Sequence, residues 1–251
     1  IMRFLLTNDD GIGSKALHIL AKELEKEHEV IIAAPSNQKS ACSHSITICE
    51  PLVIKSVELP EIKSKAFSVS GTPADCVRVA IHKLLDKPVD MVISGINMGT
   101  NLGMDVIYSG TVSAAIEAAI YKIPSMAISS ELKDGCANYN SAAKFASKII
   151  KIAQNNLIKD DLVLNVNVPY LNEEDVKEIK VCEIGDKVYD NYFIENVDEN
   201  GDTILNLKGK INEKHKINTD VYYLKQGYVT LTPLHYDLTN FKILNEVSQW
   251  F

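Results

Sequence analysis

Two adjacent carboxylates, Asp9 and Asp10, stand where an apolar run ends and glycine follows, in LLTNDDGIGS. Neighbouring side chains of a regular strand point to opposite faces, so a shared target requires the backbone to leave strand geometry at this point. Gly11 permits that departure. Once both carboxylates face one cavity, their repulsion raises a pKa unless a cation neutralises them. A hard divalent ion such as Mg²⁺ or Mn²⁺ fits, because it prefers oxygen ligands and the nearby loops offer carboxylate, amide and hydroxyl oxygen. The pair by itself admits a second reading of equal weight, in which one aspartate caps the following helix and the other is solvated.

A second stretch, SGINMGTNLGMDVIYSGT, carries more chemistry. Gly95, Gly99, Gly103 and Gly110 let the backbone approach a ligand, while Asn97 and Asn101 supply neutral amides that bind a metal, a water or a phosphate oxygen. Ser109, Gly110 and Thr111 open the helix TVSAAIEAAIYK, whose free first-turn N–H groups attract an anion. Together these describe a phosphate pocket beside a metal; alone, the stretch is a glycine-rich turn with helix caps. Neither GxxxxGK[ST] nor a GxGxxG after the first strand occurs. His44 and His235 lie in loops that could approach the site, whereas His18, His28 and His82 fall on expected helices or their ends, and no HxxxH or HExxH pair suggests zinc. Cys42 is expected to be a bystander, and GTPADCV reads as a loop entering a helix with Thr72 as cap and Pro73 in the first turn.

The elements that must position these groups alternate regularly. MRFLLTND and EVIIAAP are short apolar runs with SKALHILAKELEKEH between them at helical spacing, Ser14 being the expected N-cap. That strand, helix, strand unit crosses over right-handed into a parallel sheet. The alternation continues through AFSVS, ADCVRVAIHKLL, DMVISG, TVSAAIEAAIYK, SMAISS, NSAAKFASKIIKIAQNN and LVLNVNVP, the pattern of an open doubly wound sheet over residues 2–169. Ligands of such a sheet collect at the carboxyl ends of its strands, and Asn8 to Asp10, Ser36 to Ser45, Ser70 to Asp75 and Asn97 to Thr111 all fall there. Residues 170–220 are charged and Asn-rich, with VDENGDT as a hairpin-turn signal, and are expected to form an antiparallel arm. QGYVTLTPL returns as a strand, and LTNFKILNEVSQWF is expected to be a short terminal helix capped by Thr239 or Asn240. The division is a core over 1–169 and an arm, returning strand and terminal helix over 170–251, within one domain.

Composition limits the function classes. With 251 residues the chain can bury the core of one α/β domain, and two independent domains would be small. A formal net charge of -7 argues against binding a nucleic-acid polymer through its backbone. The five cysteines are odd in number and scattered, which fits reduced thiols and a cytoplasmic location. No apolar stretch approaches the roughly 18 residues of a membrane span, so a membrane is not an expected partner. Ile1, ahead of Met2, is left out of the fold argument.

Taken jointly, TNDDGI, KSACSHSIT, SGTPADCV, SGINMGTNLGMDVIYSGTVSAAIEAAI and YVTLTPL resemble the SurE family in the same order along most of the chain. The resemblance implies a Rossmann-like, doubly wound, mostly parallel sheet with an antiparallel β arm and a C-terminal helix. It also implies a divalent-metal-dependent phosphatase acting on nucleoside 5′- and 3′-monophosphates, some members trimming short polyphosphate. Carried over residue by residue, it implies metal ligation by Asp9, Asp10, Ser40 and Asn97, with Asp9 and Asn97 catalytic. Phosphate contact falls to Asn8, Asn101, Ser109, Gly110 and Thr111, beside one Mg²⁺ or Mn²⁺ per subunit of a homodimer or homotetramer. Lys39 stands where many members carry arginine. Two other readings remain open: an aspartyl-phosphate phosphatase, which typically uses a DxD spacing, and a non-catalytic nucleotide-binding module.

Overall fold

The computed structural model describes residues 1–156, 161–186, 189–211 and 215–251. The apolar run β1 (Arg3–Thr7) is wholly buried, and its side chains alternate between two cores. Phe4 and Leu6 join the core on one face of the sheet, Leu5 the core on the other. Helix α1 (Lys15–Leu24) turns Ala16, Leu17, Leu20, Ala21 and Leu24 inward at helical spacing. Ser14 sits at its N-cap position without making a side-chain cap. Strand β2 (Glu29–Pro35) then runs parallel to β1.

The chain continues outward through β3 (Ile54–Val57) and β4 (Lys65–Val69), then returns across β1 through β5 (Met91–Met98), β6 (Ser125–Ser130) and β7 (Val163–Val168). The nine-stranded sheet has the order β3-β4-β2-β1-β5-β6-β7-β11-β8, with β11 (Val229–Leu234) and β8 (Ile179–Val181) completing it. The run from β4 to β7 is parallel, and β3 and β11 are antiparallel to their neighbours β4 and β7. Strand order reverses at β1, so the crevice of this doubly wound sheet opens at the carboxyl ends of β1 and β5.

Helices cover both faces. α1 and α4 (Tyr139–Gln154) pack on one, with Leu17, Leu20, Phe145, Ile149 and Ile150 in a common core. α2 (Pro73–Val79) and α3 (Gly110–Ile120) pack on the other, through Cys76, Val77, Ala114 and Ala118. α2 starts as its sequence implies: Thr72 and Asp75 form a reciprocal capping box with Pro73 in the first turn. The expected single helix through Leu85 instead passes into a π-helical turn, Ala80–Leu84.

The VDENGDT signal is the turn of a two-stranded antiparallel arm, β9 (Tyr189–Val197) and β10 (Thr203–Ile211). Residues 187–188 and 212–214 of the expected arm lie outside the described residues. A short helix α5 (Asp220–Lys225), capped by Thr219, precedes β11. The short terminal helix forms, but it starts later than expected: α6 covers Leu244–Ser248 and has no side-chain cap, so neither Thr239 nor Asn240 caps it. Asn240 accepts the N–H of Lys242 at 3.2 Å, a local turn that competes with helix extension. Among the described residues no helix is long and apolar enough to cross a membrane.

Candidate functional site

A cleft of about 480 Å³ opens at the β1/β5 crevice, lined by Asp9, Ser40, Ala41, Asn97, Met98, Asn101, Asp105, Tyr108, Ser109 and Leu207. Asp9 follows β1 and is almost fully buried, facing the start of α3. Thr111 donates to it twice, from its hydroxyl to Oδ1 at 2.6 Å and from its backbone N–H to Oδ2 at 3.3 Å. Burial nevertheless pushes the Asp9 carboxyl up to about 6, the charge of Asp10 adding to the effect and the Thr111 bonds opposing it. Burial lifts Asp10 as well, against the N–H of Met98 at 3.1 Å and the amide of Gln38 at 3.3 Å.

Gln38 is the link that joins two loops. Its amide nitrogen also donates to Ser40 Oγ at 2.9 Å, so Asp10 after β1 and Ser40 after β2 share one donor. The backbone supports the same arrangement, with Lys39 N–H donating to Asp9 O at 2.7 Å. Asn97 reaches the cleft because β5 bulges between Gly95 and Asn97. That bulge demands glycine: Gly95 has φ +140°, and a Cβ there would stand 2.3 Å from Ile128 O. The Asn97 side-chain nitrogen donates to Gly99 O at 2.8 Å, and its Oδ1 has no partner among the described residues.

Asn101 is fixed on all sides. Its backbone N–H donates to Asn167 Oδ1 at 2.8 Å, its carbonyl accepts from Asn165 and Asn167, and its side-chain nitrogen donates to Ser129 Oγ at 2.8 Å. Ser109 caps α3 by accepting Val112 N–H at 3.1 Å, which leaves its own hydroxyl proton for another acceptor. Gly110 must be small, because a Cβ would lie 2.9 Å from Cys42 Sγ and 3.0 Å from Asp9 Cβ. Burial raises the Cys42 thiol, reinforced by the Asp9 charge, so it stays protonated beside the carboxylate.

The structure thus gathers Asp9, Ser40, Asn97, Asn101 and Ser109 around one cleft, with Asp10 following Asp9 and Gly110 packed against Asp9 and Cys42. Asn8 and Thr111 are placed differently from the phosphate contacts expected of them. Asn8 is fully buried, and its amide closes on Gly11 at both ends, donating to Gly11 O at 2.9 Å and accepting Gly11 N–H at 3.1 Å. It builds the turn that lets both aspartates leave the strand. Thr111 spends its hydroxyl and N–H on Asp9. His44 binds Glu117 of α3 at 2.6 Å, and Glu117 in turn accepts from Arg78 at 3.1 Å. His235 stacks on Tyr236, away from the cleft residues. Gln38 has no local signal in the sequence, since an amide between two loops reads as a surface residue. Asp220 was equally hidden: fully buried, it accepts Gly103 N–H at 2.9 Å and Gly185 N–H at 2.8 Å, fastening the root of the arm to the loop after β5.

The oxygen-only donor set of Asp9, Asp10, Ser40 and Asn97 fits a hard divalent cation, and the two lifted carboxylates give it a reason to bind. The model of the family described as "Survival protein SurE" matches residues 4–191. The chain belongs to the SurE family. It is 60% identical over 250 residues to the 5'-nucleotidase SurE of Clostridium tetani, covering 100% of both chains. It is 54% identical over 251 residues to the 5'-nucleotidase SurE of Clostridium botulinum strain ATCC 19397, covering 100% of this chain and 99% of that one. The crystal structure of the SurE protein from Aquifex aeolicus superposes with a TM-score of 0.87 at 36% identity, covering 99% of each chain. The family's α/β sheet, mostly parallel with an added antiparallel strand pair, is the fold described above.

Proposed function

We propose that the chain is a 5'-nucleotidase that hydrolyses nucleoside 5′- and 3′-monophosphates, and short polyphosphate, with one divalent cation, Mg²⁺ or Mn²⁺, per subunit. The observation that carries this reading is the lifted pair Asp9 and Asp10 at the β1/β5 crevice, beside the N-terminus of α3. Relatives named 5'-nucleotidase along the whole chain support the reaction class. Asp9, Asp10, Ser40 and Asn97 would hold the cation, Asp9 and Asn97 being catalytic because their oxygens touch it. When bound, a cation there supplies a Lewis acid and lowers the pKa of water in its shell.

The chain's own residues do the rest. Asn101, held rigid by Asn165 and Asn167, offers an amide N–H to a phosphoryl oxygen. Ser109 offers its free hydroxyl proton, and the positive end of α3 at Gly110 favours the charge that builds on phosphorus. Water attacks in line: the new P–O bond forms as the bond to the nucleoside oxygen breaks, and the leaving oxygen takes up a proton. No protein nucleophile is used. Large apolar groups left exposed, Phe241 and Trp250 near the C-terminus and Ile194 and Ile204 on the arm, support a homodimer or homotetramer. Five free cysteines suit a cytoplasmic enzyme.

Phosphate release from a panel of nucleoside monophosphates and tripolyphosphate tests this reading, with Mg²⁺ or Mn²⁺ and again with EDTA. Turnover that EDTA removes and metal restores is expected. Nucleotide binding without release under any metal would make the chain a binding module instead.

A further inference from the structure

The cleft that holds the phosphate-side groups also exposes large apolar surface. Met98 is 49% exposed, Tyr108 60% and Leu207 58%, and all three line it. Each follows from a different element: Met98 ends β5, Tyr108 closes a 3₁₀ turn over Gly103–Tyr108, and Leu207 comes from the arm strand β10. The Tyr108 backbone is held firmly. Ser43 donates its N–H to Tyr108 O at 3.0 Å and its hydroxyl to Ile107 O at 2.8 Å. The phenol hydroxyl has no protein partner among the described residues, so the ring is not held in place by a polar bond of its own.

A ring anchored one residue before Ser109 has its distance to the phosphate position fixed by the chain. An aromatic face, a thioether and a leucine side chain together suit a flat, polarisable, largely apolar ligand. Asp105, half-buried in the same lining, offers an acceptor to an amino or hydroxyl group and repels a further phosphate. A ligand with an anionic end and a flat heterocycle a short distance away meets these requirements.

We propose that Tyr108, with Met98 and Leu207, forms the stacking wall for the nucleobase, and that Tyr108 determines preference for the larger purine face over pyrimidines. The proposal rests on the nucleotidase reading above. It also gives the arm a part in substrate recognition, through Leu207.

The test compares kcat/KM for adenosine and cytidine monophosphates with that for ribose 5-phosphate, which has the phosphate and sugar but no base. In Tyr108→Ala the ratio of adenosine monophosphate to ribose 5-phosphate is expected to fall about tenfold, the worth of one base stack, mainly through KM. The fall should be smaller for cytidine monophosphate, and Tyr108→Phe should restore the wild-type ratio. Leu207→Ser should lower the ratio less than Tyr108→Ala does. An unchanged ratio in Tyr108→Ala, or a Tyr108→Phe variant as impaired as the alanine, would overturn the stacking role. If the wild type releases phosphate from none of the three esters, the nucleotidase reading fails by itself, and calorimetric binding of adenosine monophosphate and ribose 5-phosphate still decides the wall. Tighter binding of adenosine monophosphate that Tyr108→Ala abolishes supports it, and equal binding of both ligands by the wild type contradicts it.

Discussion

Two aspartates are buried near the carboxyl edge of the sheet, and they are finished differently. Asp220 accepts three backbone N–H bonds, from Gly103, Gly185 and Val221, at 2.9, 2.8 and 2.7 Å. Among the described residues, Thr111 is the only other residue that donates to the Asp9 carboxylate, which feels the charge of Asp10 beside an open cleft. Burial lifts both. The difference separates a carboxylate satisfied by the fold from a candidate ligand: Asp220 is fully bonded by backbone N–H groups, while Asp9 retains lone pairs and a repulsion that a proton or a cation would relieve.

The contrast yields predictions of decreasing size. Asp9→Asn should reduce metal-dependent phosphate release by on the order of a thousandfold while circular dichroism shows an intact fold, since one proposed metal ligand and half of the charge pair are lost. Asp220→Asn should do the opposite. An amide nitrogen turned toward backbone donors leaves at least one N–H unmet, at a cost of about 1–3 kcal/mol in urea unfolding, with turnover at low temperature kept within a few-fold.

A third prediction concerns pH. The folded pKa of Asp9, about 6, lies above the ordinary value of 3.8, so the folded protein holds its proton over that window and stability falls as pH rises through it. Below the window the cost is absent, and above it the cost is complete. In EDTA at pH 8, Asp9→Asn should therefore be more stable than wild type by about 1–3 kcal/mol, a gain that vanishes near pH 4. A wild type at least as stable at pH 8 would break the comparison. Smallest, Thr111→Val removes the stronger of Asp9's two bonds and should weaken metal-dependent kcat/KM about tenfold, as measured by metal titration of the rate.

Much of the scaffold was legible because buried parallel strands are short continuous apolar runs. EVIIAAP and SMAISS match β2 and β6 residue for residue. What escaped was short and polar: the edge strand β3, the three-residue β8 and the single-turn α5, each stabilised by tertiary partners instead of by periodicity. The terminal helix was overread because Phe241, Leu244, Val247 and Trp250 are helically spaced, yet Phe241, Leu244 and Trp250 are exposed and find no core in this chain. At the site, residue type and strand-end position pointed to Asp9, Asn97, Asn101 and Ser109, and the family resemblance added Ser40, because the sheet's topology converges on one crevice. Local spacing could not show that Asn8 and Thr111 serve the scaffold, nor that Gln38 and Asp220 tie distant loops together, since those contacts span long stretches of chain.

Calorimetric titration of Mn²⁺ into metal-free wild type, Asp9→Asn and Asp220→Asn, under conditions where all three are folded, tests the central distinction most directly. Stoichiometric binding by the wild type and Asp220→Asn, with none by Asp9→Asn, is the predicted result. Binding by Asp9→Asn as tight as by the wild type, or none by the wild type, would contradict it.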